Sequence, residues 1–209
     1  MSASPVFEPD LFMSEPEYLA FEHASDTKHE FVDGQVYDWP GYDYDAQGMV
    51  GARLRHNILQ VNLVTSLAQP ARAAGCQVVG SDMRLRIRQP STHRYYYPDV
   101  MVLCDEHELH DNDEATDVSR PCVVFEILSA RSMRIDHIEK LHAYRAIPSV
   151  QAYVIVHQQR RRVERHWRDA DDTWHRELLI SGSVAVPCVG AELSLDDVYG
   201  PIVDPGPDR

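Results

Sequence analysis

Residues 122–128 read Cys-Val-Val-Phe-Glu-Ile-Leu, a short apolar run whose β-branched and aromatic content describes a strand buried on both faces. Such a strand needs cover above and below, which confines the chain to layered folds in which a sheet is flanked by other elements. Glu126 interrupts the run. A carboxylate taken out of water without a partner costs several kcal/mol, or else it takes up a proton. Something must compensate it, and the candidates are a metal ion, a lysine or arginine, or hydrogen-bond donors.

Two further residues narrow that choice. Tyr97-Pro98-Asp99-Val100-Met101-Val102-Leu103 sets a second acid at the mouth of another apolar strand, with Pro98 holding the preceding backbone extended. Lys140 lies on a helix that follows Glu126. If the two strands pair side by side, Asp99 and Glu126 come within reach of one hard divalent ion. Mg²⁺ suits such a site, because it takes oxygen ligands, usually only one or two carboxylates, and leaves its other positions to water and phosphate. Lys140 would reach back over the sheet to orient the attacking water and stabilise charge on the phosphate, although its spacing from Asp136 also fits an ordinary i, i+4 surface pair. Glu30, beside a hairpin turn, is a third acid. His56 on a long helix, Ser129 just after the acid strand, and Arg84 are candidate substrate or supporting residues.

The totals exclude several classes. At 209 residues the chain is read as a single domain over 1–209, with an ordered core from about 16 to 199 and tail-like ends rich in Pro and Gly. No apolar stretch approaches the ~18 residues of a membrane span, and no basic-then-apolar leader opens the chain, so a cytoplasmic location is expected. Cys76, Cys104, Cys122 and Cys188 are far apart and form no CxxC pair, so neither a zinc site nor a disulfide framework is expected. The formal net charge of −13 disfavours long-range attraction to nucleic acid. The charge is uneven, however. Acids gather in 105–117 and 169–172, whereas Arg84, Arg86 and Arg88 alternate along one strand and Arg160 to Arg162 follow another. That pattern fits either a local basic groove or solvated strand faces.

Along the chain, Ser14 and Glu17 have capping-box spacing at the start of a first helix. Asp33-Gly34 is a two-residue hairpin turn between 29–32 and 35–37. From about Met49 to Ala68, Leu54, Ile58, Val61 and Leu67 recur at helical spacing, and the helix is expected to end before Pro70. Strands follow at 77–80 continuing into 83–88, at 99–104 and at 122–128, with the acidic stretch 105–120 read as a surface loop. A helix over about 133–145, turning Ile138, Leu141 and Tyr144 inward, leads to a strand at 152–156 that should lie parallel to 122–128. A hairpin over 162–167 and 174–180 closes the pattern. The fold class is α/β or α+β, a mixed sheet flanked by helices.

No GxSxG elbow, P-loop, GxGxxG or HExxH is present, and the eleven histidines are scattered. The ordered set His29-Glu30-Phe31-Val32-Asp33-Gly34, Arg55-His56-Asn57, Gly80-Ser81-Asp82-Met83-Arg84, Tyr97-Pro98-Asp99-Val100, Phe125-Glu126-Ile127-Leu128-Ser129 and Glu139 to Arg145 resembles the Uma-two-like restriction endonucleases of the PD-(D/E)XK nuclease superfamily. The likeness runs from about Pro16 to Tyr199. It implies a restriction-endonuclease-like core and Mg²⁺-dependent DNA cleavage, with Mn²⁺ able to substitute. By motif position Asp99 and Glu126 would be the metal-binding acids, Lys140 the lysine and Glu30 an additional acid. The superfamily pattern puts the lysine two residues after the second acid, where this chain has Leu128, so Lys140 stands in from the helix. Ala130-Arg131-Ser132 also replaces the usual Pro-Ser-Thr. Cleavage of a duplex would call for a homodimer. The competing expectation is a catalytically inactive nucleic-acid-binding or assembly module of the same fold.

Overall fold

The computed structural model describes residues 11–38, 54–110, 114–128 and 136–200. In chain order the elements are β1 (Leu11–Phe12), α1 (Glu15–Ala24), β2 (His29–Val32), β3 (Gln35–Asp38), α2 (Leu54–Ala73), β4 (Gln77–Gly80), β5 (Arg84–Gln89), β6 (Thr92–Tyr96), β7 (Val100–Leu103), α3 (Glu106–His110), β8 (Asp117–Val118), β9 (Pro121–Leu128), α4 (Asp136–Arg145), β10 (Ala152–His157), β11 (Val163–Arg168), β12 (Trp174–Leu179), β13 (Ser183–Val186), β14 (Ala191–Ser194) and α5 (Leu195–Tyr199). A 3-10 turn at Pro187–Val189 joins β13 to β14.

The strands form two mixed six-stranded sheets and a small hairpin. The first sheet has the order β1-β3-β2-β6-β5-β8 and the second β12-β11-β10-β9-β7-β4. In the second sheet only β9 and β10 run parallel, as the helical crossover between them predicts, with Ile155 opposite Glu126. The other ladders there are antiparallel, including β7 with β9 (Val100 opposite Phe125) and the β11–β12 hairpin.

Burial explains why β9 is apolar along both faces. Val100, Val102, Phe125 and Val154 point into one core, where they meet Leu59, Leu63 and Leu67 of α2. Met101, Val124, Tyr153 and Ile155 point into a second core with Tyr144 of α4 and Leu85, Ile87 and Tyr96 of the first sheet. A smaller cluster packs Tyr18 of α1 on Phe31, Val36 and Tyr95. Each fully buried Leu or Phe contributes about 1.5–3 kcal/mol.

Local signals hold at both early turns. Glu17 accepts bonds from the Ser14 amide and hydroxyl, at 2.8 and 2.6 Å, capping α1. Asp33 and Gly34 take φ of +50° and +102°, the left-handed values that a two-residue hairpin turn demands.

Other expectations need correction. The segments 77–80 and 84–89 are not one strand: β4 belongs to the second sheet and β5 to the first. The chain changes sheets at Ser81–Met83. Residues 105–120 carry α3 and β8, and β8 pairs with β5. The long helix runs through Pro70 to Ala73, because the buried stripe Leu59, Leu63, Leu67, Ala71 continues past the proline to its next residue. Proline's missing N–H there removes one bond near the helix end, a smaller loss than exposing that turn. Leu54 and Val61 lie on the outer face instead, and Ile138 of α4 is also exposed. Residues 49–53 and 133–135 of the two expected helices lie outside the described residues. Finally, the cysteines are joined as Cys76–Cys104 and Cys122–Cys188, against the expectation of no disulfide framework. Their pairing is set by strand register for Cys76–Cys104 and by the 3-10 turn meeting β9 for Cys122–Cys188, contacts far apart in sequence that spacing does not display.

Candidate active site

Asp99 stands one residue before β7, so continuing the Val100–Phe125 register sets it opposite Glu126. Antiparallel pairing therefore brings the two carboxylates together on the face that carries Met101 and Val124. Above that face, α4 presents Lys140 and Tyr144, one helical turn apart and so on the same side. Glu30 arrives from β2 of the first sheet. Four elements distant in sequence converge on one spot where the two sheets meet, and Glu30, Asp99, Glu126 and Lys140 are all buried.

The hydrogen bonds define how each group is held. The Lys140 ammonium bridges Glu30 Oε1 at 2.9 Å and Glu126 Oε1 at 3.3 Å. The Tyr144 hydroxyl donates to Glu126 Oε1 at 2.8 Å. Both bonds to Glu126 fall on Oε1; among the described residues none is made to Oε2. Asp99 is fixed through both oxygens: Oδ2 accepts the Ile127 amide at 2.6 Å, and Oδ1 lies 2.9 Å from His56 Nε2. Gln60, one turn after His56 on α2, donates to the Asp99 carbonyl at 2.9 Å and to Ser81 Oγ at 3.2 Å. The Tyr97 amide donates to Glu30 at 3.2 Å.

The electrostatics follow from this crowding. Burial pushes the Glu126 carboxyl up to about 8, the Lys140 ammonium pulls it down, and the Asp99 and Glu30 carboxylates push it up again. Burial, and then Glu126 itself, hold the Tyr144 phenol well above its ordinary value, so it remains a donor. Three carboxyl groups crowd one poorly solvated place around Lys140, with His56 beside Asp99, so negative charge gathers there once Glu126 ionises. A divalent cation would neutralise it, and Glu126 Oε2 with the neighbouring Asp99 supplies the hard oxygen donors that Mg²⁺ selects. The residues present fit such an ion.

The remaining candidates divide. His56 joins the cluster through Asp99. Arg84 does not: its guanidinium bonds Thr116 Oγ1 at 2.9 Å, lies 3.7 Å from Asp117 and sits over the Tyr95 ring, tying β5 to β8. Ser129 lies outside the described residues. Sequence reasoning treated Tyr144 as core and passed over Gln60. The i, i+4 spacing of Tyr144 from Lys140, and of Gln60 from His56, was the signal available for both.

A family model described as "Putative restriction endonuclease", Uma2, matches residues 15–195. The chain belongs to the Uma2 family. Among curated relatives of this Uma2 chain, Uncharacterized protein sll1609 of Synechocystis is 32% identical over 158 residues, covering 76% of this chain and 82% of the relative. Uncharacterized protein slr1290 of the same organism is 27% identical over 191 residues, 90% of this chain and 91% of the relative. Among solved structures, a putative nuclease belonging to DUF820 from Anabaena variabilis superposes with a TM-score of 0.62 at 15% identity, covering 84% of this chain and 91% of that one. That likeness shows a shared fold. Uma2 membership supports a nuclease-like function and implies a nucleic-acid substrate. No described helix is long and apolar enough to cross a membrane.

Proposed function

We propose that this chain is a Mg²⁺-dependent endonuclease that hydrolyses DNA phosphodiester bonds, with Mn²⁺ able to replace Mg²⁺. The observation that carries the reading is the convergence of buried acids: Asp99, Glu126 and Glu30 meet beside Lys140, which pairs with Glu30 and Glu126, while His56 pairs with Asp99. Asp99 and Glu126 are the residues that would hold the ion. Bound there, Mg²⁺ supplies Lewis-acid polarisation of the scissile phosphate and a more acidic bound water. The protein's own groups do the rest. Tyr144 and Lys140 hold Glu126 by one oxygen, which leaves the other to take a ligand. His56 and the Ile127 amide lock the rotamer of Asp99, so the two carboxylates keep their separation as substrate arrives. Lys140 carries the positive charge that stabilises negative charge building on the phosphate and positions the attacking water, and Glu30 anchors its ammonium. Scission of both strands calls for two sites, hence a homodimer acting where the cell's DNA is, in the cytoplasm.

A second reading is a catalytically inactive module, favoured by the double engagement of Lys140, which two carboxylates already satisfy. Two measurements separate the readings. Thermal-shift titration with Mg²⁺ and Mn²⁺ should stabilise the wild type by roughly 1–3 kcal/mol at saturation and leave Glu126→Gln unmoved. Nicking of supercoiled plasmid should require the ion and fall by at least about 100-fold in Asp99→Asn and in Lys140→Met. Ion-dependent stabilisation without nicking supports the inactive module; nicking undiminished in Lys140→Met overturns the role given to that lysine.

A further inference from the structure

The four cysteines converge at the far end of the strands that carry the acids. Cys76 precedes β4 and Cys104 follows β7, and the Gln77–Leu103 pairing places them opposite each other, with Cα atoms 4.3 Å apart. Cys122 lies in β9, the next strand, and Cys188 lies in the 3-10 turn after β13. The Sγ atoms of Cys104, Cys122 and Cys188 are all within 4.8 Å of one another, and Cys76 is bonded to Cys104. The two disulfides therefore lie side by side, with three of the four sulfurs mutually close and the fourth one bond away. Cys76 and Cys122 are buried, while Cys104 and Cys188 are partly open to solvent. At about 3.3 Å per strand residue the cluster is roughly 13–17 Å from Glu126 and Asp99, so it is a separate site.

We propose that, once reduced, these four cysteines form a tetrathiolate site for a soft divalent ion, Zn²⁺. In a tetrahedral site with Zn–S bonds of about 2.3 Å the sulfurs lie roughly 3.8 Å apart, within the 4.8 Å that already spans Cys104, Cys122 and Cys188, and Cys76 joins them once its bond to Cys104 is broken. Each disulfide takes up two electrons and two protons from a dithiol or phosphine reductant to give two thiols. Zn²⁺ then binds the four sulfurs and displaces their protons to solvent. Oxidised, the cluster ties β4 to β7 and β9 to the 3-10 turn covalently; reduced and metal-loaded, it makes the same ties through the ion. The donor set is what selects the metal, since thiolates favour zinc and leave Mg²⁺ to the carboxylates.

The test uses the full-length chain produced and purified with a phosphine reductant and without oxygen, titrated with Co²⁺ as the optical probe. One equivalent should give sulfur-to-cobalt charge-transfer absorption and the intense visible bands of tetrahedral cobalt, and Zn²⁺ should abolish both by displacement. The air-oxidised protein should give neither until reductant is added. Cys188→Ser, on a partly exposed turn, should weaken binding by at least about 100-fold. Glu126→Gln should leave the bands intact, and it serves as the check where a cysteine variant folds poorly. Absence of tetrahedral bands in the reduced protein, bands undiminished in Cys188→Ser, or bands lost in Glu126→Gln would each overturn the proposal.

Discussion

Replacing Lys140 with methionine removes the positive charge between Glu30 and Glu126 while keeping an unbranched apolar side chain over the Tyr96 ring, 5.4 Å from the present ammonium. At 2.9 Å the ion pair with Glu30 is worth about 6 kcal/mol in an effective dielectric of ~20, before desolvation is counted, and the 3.3 Å contact with Glu126 adds its ionic part only when that carboxyl is ionised. The observable loss is smaller, because the site can take up a proton instead. With Glu126 pushed up to about 8, the wild-type cluster already binds one proton more than the unfolded chain over the range 4.5 to 8. Its stability contribution is thus fully present below 4.5 and declines as pH rises to about 8. Without the lysine a second carboxyl must be neutralised. That costs about 1.4 kcal/mol for each pH unit above the unfolded value near 4.5, or roughly 3 kcal/mol at pH 7 and under ~1 kcal/mol at pH 5. The expected signature in urea denaturation is a destabilisation that grows with pH, and a double variant with Glu30→Gln that recovers most of it at pH 7. An equal loss at pH 5 and pH 7 would show that Lys140 acts through packing, and the charge argument for the whole site would fail with it.

Three other outcomes follow from the same structure. Because Glu126 holds a proton below about 8 and a metal needs the ionised form, Mg²⁺ binding at pH 7 should release close to one proton; calorimetry in phosphate and in Tris should give enthalpies that differ by the buffers' ionisation heats, and identical enthalpies would refute it. Tyr144→Phe removes a bond that favours ionised Glu126, so it should lower stability by roughly 1–3 kcal/mol and shift the proton release to higher pH, both readable from melting curves across pH. The disulfides close chain separations of 28 and 66 residues, so full reduction in the presence of a chelator should lower stability by roughly 3–4 kcal/mol per bond on the chain-entropy view, and a change under ~1 kcal/mol in total would refute it.

What the sequence displays is local pattern, and the elements it revealed are those whose pattern is local. The β9 run, the Asp33-Gly34 turn and the parallel relation of β9 to β10 depend on neighbours within a few residues or on one helical crossover. The split into two sheets was not visible, because nothing in Gly80-Ser81-Asp82-Met83 marks the point where the chain leaves one sheet for the other. β6 was hidden for another reason: Thr92–Tyr96 is polar at one end and tyrosine-rich at the other, so its alternation appears only once β2 and β5 flank it. Pro70 misled because its local penalty was weighed without the buried stripe that continues past it.

The candidate site shows the same division at the level of single groups. A buried Glu126 announces a debt of charge, and sequence alone could name metal, lysine or donors as ways to settle it. The structure brings two of these to one place, the lysine and the donors: Lys140 answers Glu30 and Glu126 together, Tyr144 answers one oxygen of Glu126, and His56 and the Ile127 amide answer Asp99 a strand away. On the proposed function the divalent ion and the proton on Glu126 compete for one carboxyl, so Mg²⁺ binding should weaken as pH falls below about 8.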